Sequence, residues 1–136
     1  MVLTGDDIDE RMSLEHKLAT EFEMKDLGPL QYFLGIEIAI SQDGIFLTQR
    51  KYTLNLLSEI GMLACKPAEI PIEMNHTLEI YPNQVEADIR RYQRLVGRLI
   101  YLSHTRPDIA YAVGIVSRFM HSPSEDHMKA VYRILR

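Results

Sequence analysis

The order of apolar and polar positions divides the chain into segments of different period. Near the N-terminus Ile8, Met12, Leu18, Ala19 and Phe22 fall on one face of a helix. Asp6, Asp7, Asp9 and Glu10 crowd its first turn, where the helix dipole favours negative charge. Ahead of them, residues 1–4 read as the end of a strand, and Gly28-Pro29 breaks the chain behind. In QYFLGIEIAI the residues Tyr32, Leu34, Ile36, Ile38 and Ile40 alternate with Phe33, Gly35, Glu37 and Ala39, a period of two. Asp43-Gly44 is a turn signal, and Ile45 to Thr48 resumes the apolar run, so the pattern predicts a β-hairpin over 31–49. A second helix is expected from about Arg50 to Ile60, with Gly61 placed to cap it.

Residues 62–87 carry Pro67, Pro71 and Pro82 without a clear period, and read as an extended connector between two lobes. The C-terminal part, 88–136, is helical throughout. One helix spans roughly Ala87 to His104 and buries Tyr92, Leu95, Val96, Leu99 and Leu102. A second starts at TRPD, with Thr105 as cap, Pro107 in the first turn and a core stripe of Ile109, Ala112, Val113, Val116 and Met120. A third starts at HSPSEDH, where Ser122 and Glu125 have capping-box spacing and Pro123 takes the first helical position. It reaches the C-terminus at VYRILR without a stop signal. The expected class is α+β: a helix and hairpin over 1–61, the connector, then a helical region.

Composition changes this picture in two ways. The 136 residues carry one cysteine, Cys65, so no disulfide forms within the chain, which fits a reducing compartment. No apolar stretch approaches the roughly 20 residues of a membrane span, and the acidic N-terminus does not resemble a presequence. An intracellular protein with no membrane partner is expected. Charge is divided unevenly. Residues 1–87 hold 6 Lys/Arg and 15 Asp/Glu, net −9, whereas residues 88–136 hold 9 and 4, net +5. The C-terminal part is therefore the part suited to meet an anion.

Candidate chemistry is sparse. Gly5-Asp6-Asp7 is a triplet that polymerases use to hold metal ions at a hairpin tip, but here the residues after it form an amphipathic helix, so capping is the expected role. The five histidines lack zinc spacing, Cys65 has no paired His motif, and Ser103-His104 with Asp108 reads as helix capping rather than a triad. No metal site and no catalytic residue are expected.

The helix around YQRLVGRLIY is more informative. Gln93, Gly97 and Tyr101 form one row at i, i+4 and i+8 opposite the buried face, and Arg90, Arg94 and Arg98 form a row beside it. A mid-helix glycine costs about 1 kcal/mol relative to alanine. Close approach of a neighbouring helix would justify it, and so would a nucleic-acid minor groove. There glutamine bonds to base edges or sugars, tyrosine offers a flat surface and arginines meet phosphates.

Five runs, EFEMKDLGPLQYFLGIEI, GIFLTQRKY, GMLACKPAEIPI, YQRLVGRLIYLSHTRPDIAYAVGIVSRFM and HMKAVYRILR, together resemble the reverse transcriptase of copia-type retrotransposons, part of their Pol polyprotein. The resemblance covers essentially the whole chain. It implies that residues 1–61 are the last part of a polymerase palm, that the hairpin at 31–49 is a primer grip with Phe33, Leu34 and Gly35 at the primer end, and that 88–136 is a thumb. Gln93, Gly97 and Tyr101 would touch the minor groove of an RNA–DNA template–primer duplex, with Arg94 and Arg98 on its backbone. In that family the catalytic Tyr-Val-Asp-Asp box precedes a segment like MVLTGDDID. The chain is thus expected to begin just after the catalytic aspartates, to need no cofactor itself although the parent enzyme uses two Mg ions, and to be inactive alone. Its partners would be the template–primer and the rest of the Pol polyprotein. The alternative is a domesticated or decayed non-catalytic module that binds nucleic acid or protein.

Overall fold

The computed structural model describes residues 2–136. Its elements are α1 (Ile8–Glu21), β1 (Tyr32–Phe33), β2 (Ile36–Ser41), β3 (Gly44–Thr48), α2 (Arg50–Glu59), α3 (Ile89–Ser103), α4 (Pro107–Ser117) and α5 (Glu125–Ile134). This is an α+β chain with one three-stranded sheet ordered β1-β2-β3. It divides into two compact units, the first ending at Phe46 and the second running from Leu47 to Arg136.

In the first unit, Asp7 caps α1 by accepting a hydrogen bond from the Glu10 N–H at 3.0 Å. The triplet aspartate is thus a helix cap. α1 buries none of its residues; Ile8 and Met12 on its apolar face are more than half exposed. Two expectations change here. Val2 to Thr4 form no strand, because no strand among the described residues lies beside them to supply backbone partners (Met1 lies outside the described residues). The expected single strand over QYFLGIEIAI is split as well. Tyr32 pairs with Glu37 and Phe33 with Ile36, so Leu34 and Gly35 form a two-residue turn. Their φ angles of 49° and 85° are both left-handed, as the tight hairpin turn of this twist requires. Gly35 meets that demand at no steric cost, whereas Leu34 adopts it against its side chain. The alternation of period two runs straight through the turn, which is why the sequence hides it.

The second unit holds the core. The five residues expected on the buried face of α3 are its five buried residues: Tyr92, Leu95, Val96, Leu99 and Leu102. They pack with Ile109, Ala112, Val113 and Val116 of α4, with Met128, Val131 and Ile134 of α5, and with Leu56 of α2. Asp88 caps α3 by accepting from the Arg91 N–H at 3.0 Å. The Tyr92 hydroxyl donates to the Val116 carbonyl at 2.7 Å, and burial raises its pKa well above the usual tyrosine value, so it stays a donor. α2 ends as expected at Gly61, whose φ is 73°; the Met62 N–H bonds to the Leu57 carbonyl and the Gly61 N–H to that of Ser58.

Residues 62–87 are tied to the C-terminal end of the chain by hydrogen bonds. The Ala68 N–H bonds to the Arg136 carbonyl, Arg133 reaches the Ile70 carbonyl and the Glu73 carboxylate, and Ala87 and Val85 bond to Pro123 and Glu125. The segment wraps α5 at both ends of its length.

Both later caps differ from expectation. Thr105 does not cap α4; its hydroxyl donates to Gln49 Oε1 at 2.8 Å, and Arg106 occupies the cap position. α5 starts after Ser124, not after Ser122. Ser124 and His127 form the reciprocal capping pair, the Ser124 N–H donating to His127 Nδ1 at 2.9 Å. His127 stacks on Phe119 with ring centroids 3.8 Å apart, so tertiary packing selects it over Glu125. α5 ends at Ile134, inside the chain, instead of running to its last residue.

His127 is fully buried. Burial holds its pKa below the usual 6.5, outweighing the Glu79 backbone and the nearby Asp126 charge, both of which favour the protonated ring. The folded state therefore favours neutral imidazole, while the unfolded chain takes up a proton below pH 6.5. Unfolding then binds a proton, and stability falls as pH drops below 6.5. The loss develops as pH falls through 6.5 toward the lowered folded value. His127→Gln keeps a capping-box residue at that position. Urea midpoints at the two pH values are expected to differ more for the wild type than for His127→Gln, and equal differences would rule this origin out.

Candidate nucleic-acid interface

α3 is held by its apolar stripe, so its opposite side is fixed by geometry. Arg90, Gln93, Arg94 and Gly97 are all exposed. A Cβ built on Gly97 would meet nothing within 4 Å. No neighbouring helix among the described residues presses on it, so packing between them does not account for a glycine in the middle of this 15-residue helix. Gln93 is exposed yet anchored: its Nε2 donates to the Met120 carbonyl, 2.9 Å away in the turn after α4. Arg90 and Arg94 form no ion pair with the described residues, which leaves two guanidinium groups free beside Gly97.

The far end of the two rows is used differently. Arg98 pairs with Glu59 of α2, and the Tyr52 hydroxyl donates to the Arg98 carbonyl. Tyr101 packs edge-on against Tyr52, ring centroids 5.0 Å apart, and is only partly exposed. α2 therefore covers the Arg98–Tyr101 end, and the Gln93–Gly97 end stays open. Glu59, Tyr52 and Met120 are residues that sequence reading missed. They lie 39, 46 and 27 positions from the α3 residues they hold, and no local pattern marks such distances.

Phe33, Leu34 and Gly35 lie at the β1–β2 turn of the first unit. Leu34 is 75% exposed and Phe33 40%. Gly35 is there for its left-handed φ, a conformational reason distinct from close approach.

The remaining candidates resolve into ordinary structure. Both Asp108 carboxylate oxygens bond to Arg106, at 2.8 and 2.6 Å, and Ser103 donates to the Ile100 carbonyl, so no triad assembles. That ion pair holds the exposed Asp108 carboxyl below its usual pKa. Cys65 is exposed and free. Among the described residues no cluster of three His, Cys, Asp or Glu could hold a metal ion, and no helix is long and apolar enough to cross a membrane.

Comparison with known proteins gives a consistent result. The family of reverse transcriptases (RNA-dependent DNA polymerases) matches residues 1–74. The chain is 40% identical over its whole length to the retrovirus-related Pol polyprotein from transposon RE1 of Arabidopsis thaliana, of which it spans 9%. It is 37% identical, again over its whole length, to the corresponding polyprotein from transposon TNT 1-94 of Nicotiana tabacum, spanning 11% of it. An uncharacterized mitochondrial protein of Arabidopsis thaliana is 40% identical over the whole chain and 56% of its own length. α3, beyond the family match, lies inside all three of these alignments. No solved structure matches the chain.

Proposed function

The chain belongs to the reverse transcriptase family, and from that premise we propose that it is the part of such a polymerase that positions template–primer, without supplying the catalytic aspartates. The open side of α3 lies along the minor groove of an RNA–DNA duplex. The observation that carries this reading is Gly97: a mid-helix glycine with open space over it, flanked by an anchored glutamine and two unpaired arginines. Such a helix lets a nucleic-acid backbone approach within contact distance while guanidinium groups meet phosphates on the rim. The net charge of +5 over residues 88–136 favours the same partner. Phe33, Leu34 and Gly35 would hold the primer end from the exposed β1–β2 turn, Tyr101 would bound the groove contact, and the two Mg ions would belong to the rest of the polymerase. The remainder of the Pol polyprotein is the expected covalent partner.

The test separates the two kinds of arginine. In a salt titration of binding to a fluorescent RNA–DNA hybrid, Arg94→Ala is expected to reduce the slope of log affinity against log salt by roughly one unit, one phosphate contact. Arg98→Ala is expected to change the slope by less, because Arg98 is already neutralised by Glu59. Equal slopes for the wild type and Arg94→Ala would overturn the assignment of Arg94 to the backbone.

A further inference from the structure

We propose that the outer face of α5 is a second phosphate site, a cavity that holds the backbone of a nucleic-acid strand without reading its bases. The inference rests on the reading of the partner as nucleic acid and adds a contact on a different helix from the open side of α3.

α5 carries an open cavity of about 400 Å³ lined by Lys129, Ala130, Tyr132, Arg133 and Arg136. Helical spacing puts the three cations on one face. Two of them are tethered from behind by the segment that wraps α5. The Arg133 Nε donates to the Ile70 carbonyl at 3.3 Å, and the Arg136 Nε donates to the Lys66 carbonyl at 3.1 Å. Both guanidinium groups are thus oriented through the same nitrogen, and their Nη ends are what remains for a ligand. An Nη group of Arg133 also meets Glu73. Arg136 forms no ion pair with the described residues. Lys129 pairs with Asp126, but both side chains are more than two-thirds exposed, so that pair contributes little and yields easily to another anion.

Cations gathered around one cavity repel one another unless an anion lies between them. A guanidinium fork held in place suits phosphate, which it meets with two parallel N–H bonds. The length of the row favours a strand over a single small anion. Lys129 to Arg136 spans about 10 Å of helix axis, more than one phosphate covers, whereas successive phosphates of a backbone reach all three cations. The positive charge also continues onto α3. The Arg91 guanidinium lies over the Tyr132 ring, 5.7 Å from its centroid, and Arg90 and Arg94 of the open side follow on the same helix. That placement takes up a face of Tyr132 on which a base would stack, so the contact made here is to phosphate and is independent of sequence.

The experiment uses the full chain and fluorescein-labelled RNA–DNA hybrids of two unrelated sequences, with log affinity followed against log salt. Arg136→Gln is expected to reduce the slope by roughly one unit, one phosphate contact, on both sequences. Arg136→Lys keeps the charge without the Nε anchor and is expected to restore the slope. Arg50→Gln removes the same charge from the exposed start of α2, outside the cavity, and is expected to change the slope less. Circular dichroism checks that each variant is folded; if Arg136→Gln is not, Lys129→Gln, exposed on the same face, takes its place. An unchanged slope overturns the proposal, and so does an equal reduction by Arg50→Gln or a loss that depends on sequence. Calorimetry with tripolyphosphate alone tests the source of the phosphate. Saturable binding that Arg136→Gln abolishes, with no change in the hybrid slope, makes the occupant a free phosphorylated molecule and overturns the strand. If the wild type binds no hybrid, the nucleic-acid reading itself falls and takes this site with it. If Arg94→Ala flattens the slope and Arg136→Gln does not, only the α5 site falls.

Discussion

Gly97→Leu is expected to strengthen the fold and weaken duplex binding in the same molecule. Glycine in a helix interior is the least favourable residue after proline, and leucine regains roughly 0.8 kcal/mol of helix propensity. Nothing lies within 4 Å of the added Cβ, and the helix face there is open, so the gain is not offset at that atom. The melting temperature should therefore rise by a few degrees, on the order of 4–8 °C per kcal/mol for a unit of this size. Binding moves the other way. The leucine side chain stands between the α3 backbone and a partner, lifts the groove off Gln93 and Arg94, and is expected to lower affinity tenfold or more, about one lost base-edge pair. The opposed signs make the result informative. A variant that loses both stability and binding would make Gly97 a structural residue. A variant that gains stability and binds unchanged would remove close approach from the mechanism.

The second large effect is Leu99→Ala. Leu99 is completely buried in the core that α2 to α5 share. Truncation there removes apolar surface and leaves a cavity, which destabilises by about 2–5 kcal/mol. For a unit of about 90 residues that lowers the melting temperature by roughly 10 °C or more. Ile100, the next residue, is 39% exposed on the other side of the helix. Ile100→Ala is expected to change stability by about 0.5 kcal/mol. Thermal denaturation of the two variants side by side checks the orientation of α3; equal losses would mean that its buried and open faces are misassigned.

Much of the second unit was legible from periodicity. The buried stripe of α3 is the clearest case, because a hydrophobic face at 3.6-residue spacing has one stable way to meet a core. The end of α2 at Gly61 was legible too, since its left-handed cap is a local demand that glycine alone meets cheaply. Local pattern misled where two local solutions competed. QYFLGIEIAI alternates as a strand would, yet it folds back at Leu34-Gly35, because antiparallel pairing of Phe33 with Ile36 is available across those two residues. Ser122 and Glu125 have capping spacing, yet Ser124 and His127 form the cap, because the stack on Phe119 is available only to His127.

The candidate interface was half legible. Sequence alone determined that Gln93, Gly97 and Tyr101 share a row opposite the core and that arginines line it, since helical spacing fixes which residues face together. It could not decide between a groove-facing glycine and a packing glycine, as both need the same residue. Only the tertiary structure left Gly97 uncovered, anchored Gln93 on Met120, and closed Arg98 and Tyr101 under α2. The physical reason is range. Periodicity and capping are set by neighbours within one turn, whereas exposure and charge pairing depend on groups that the fold brings from 27 to 46 residues away.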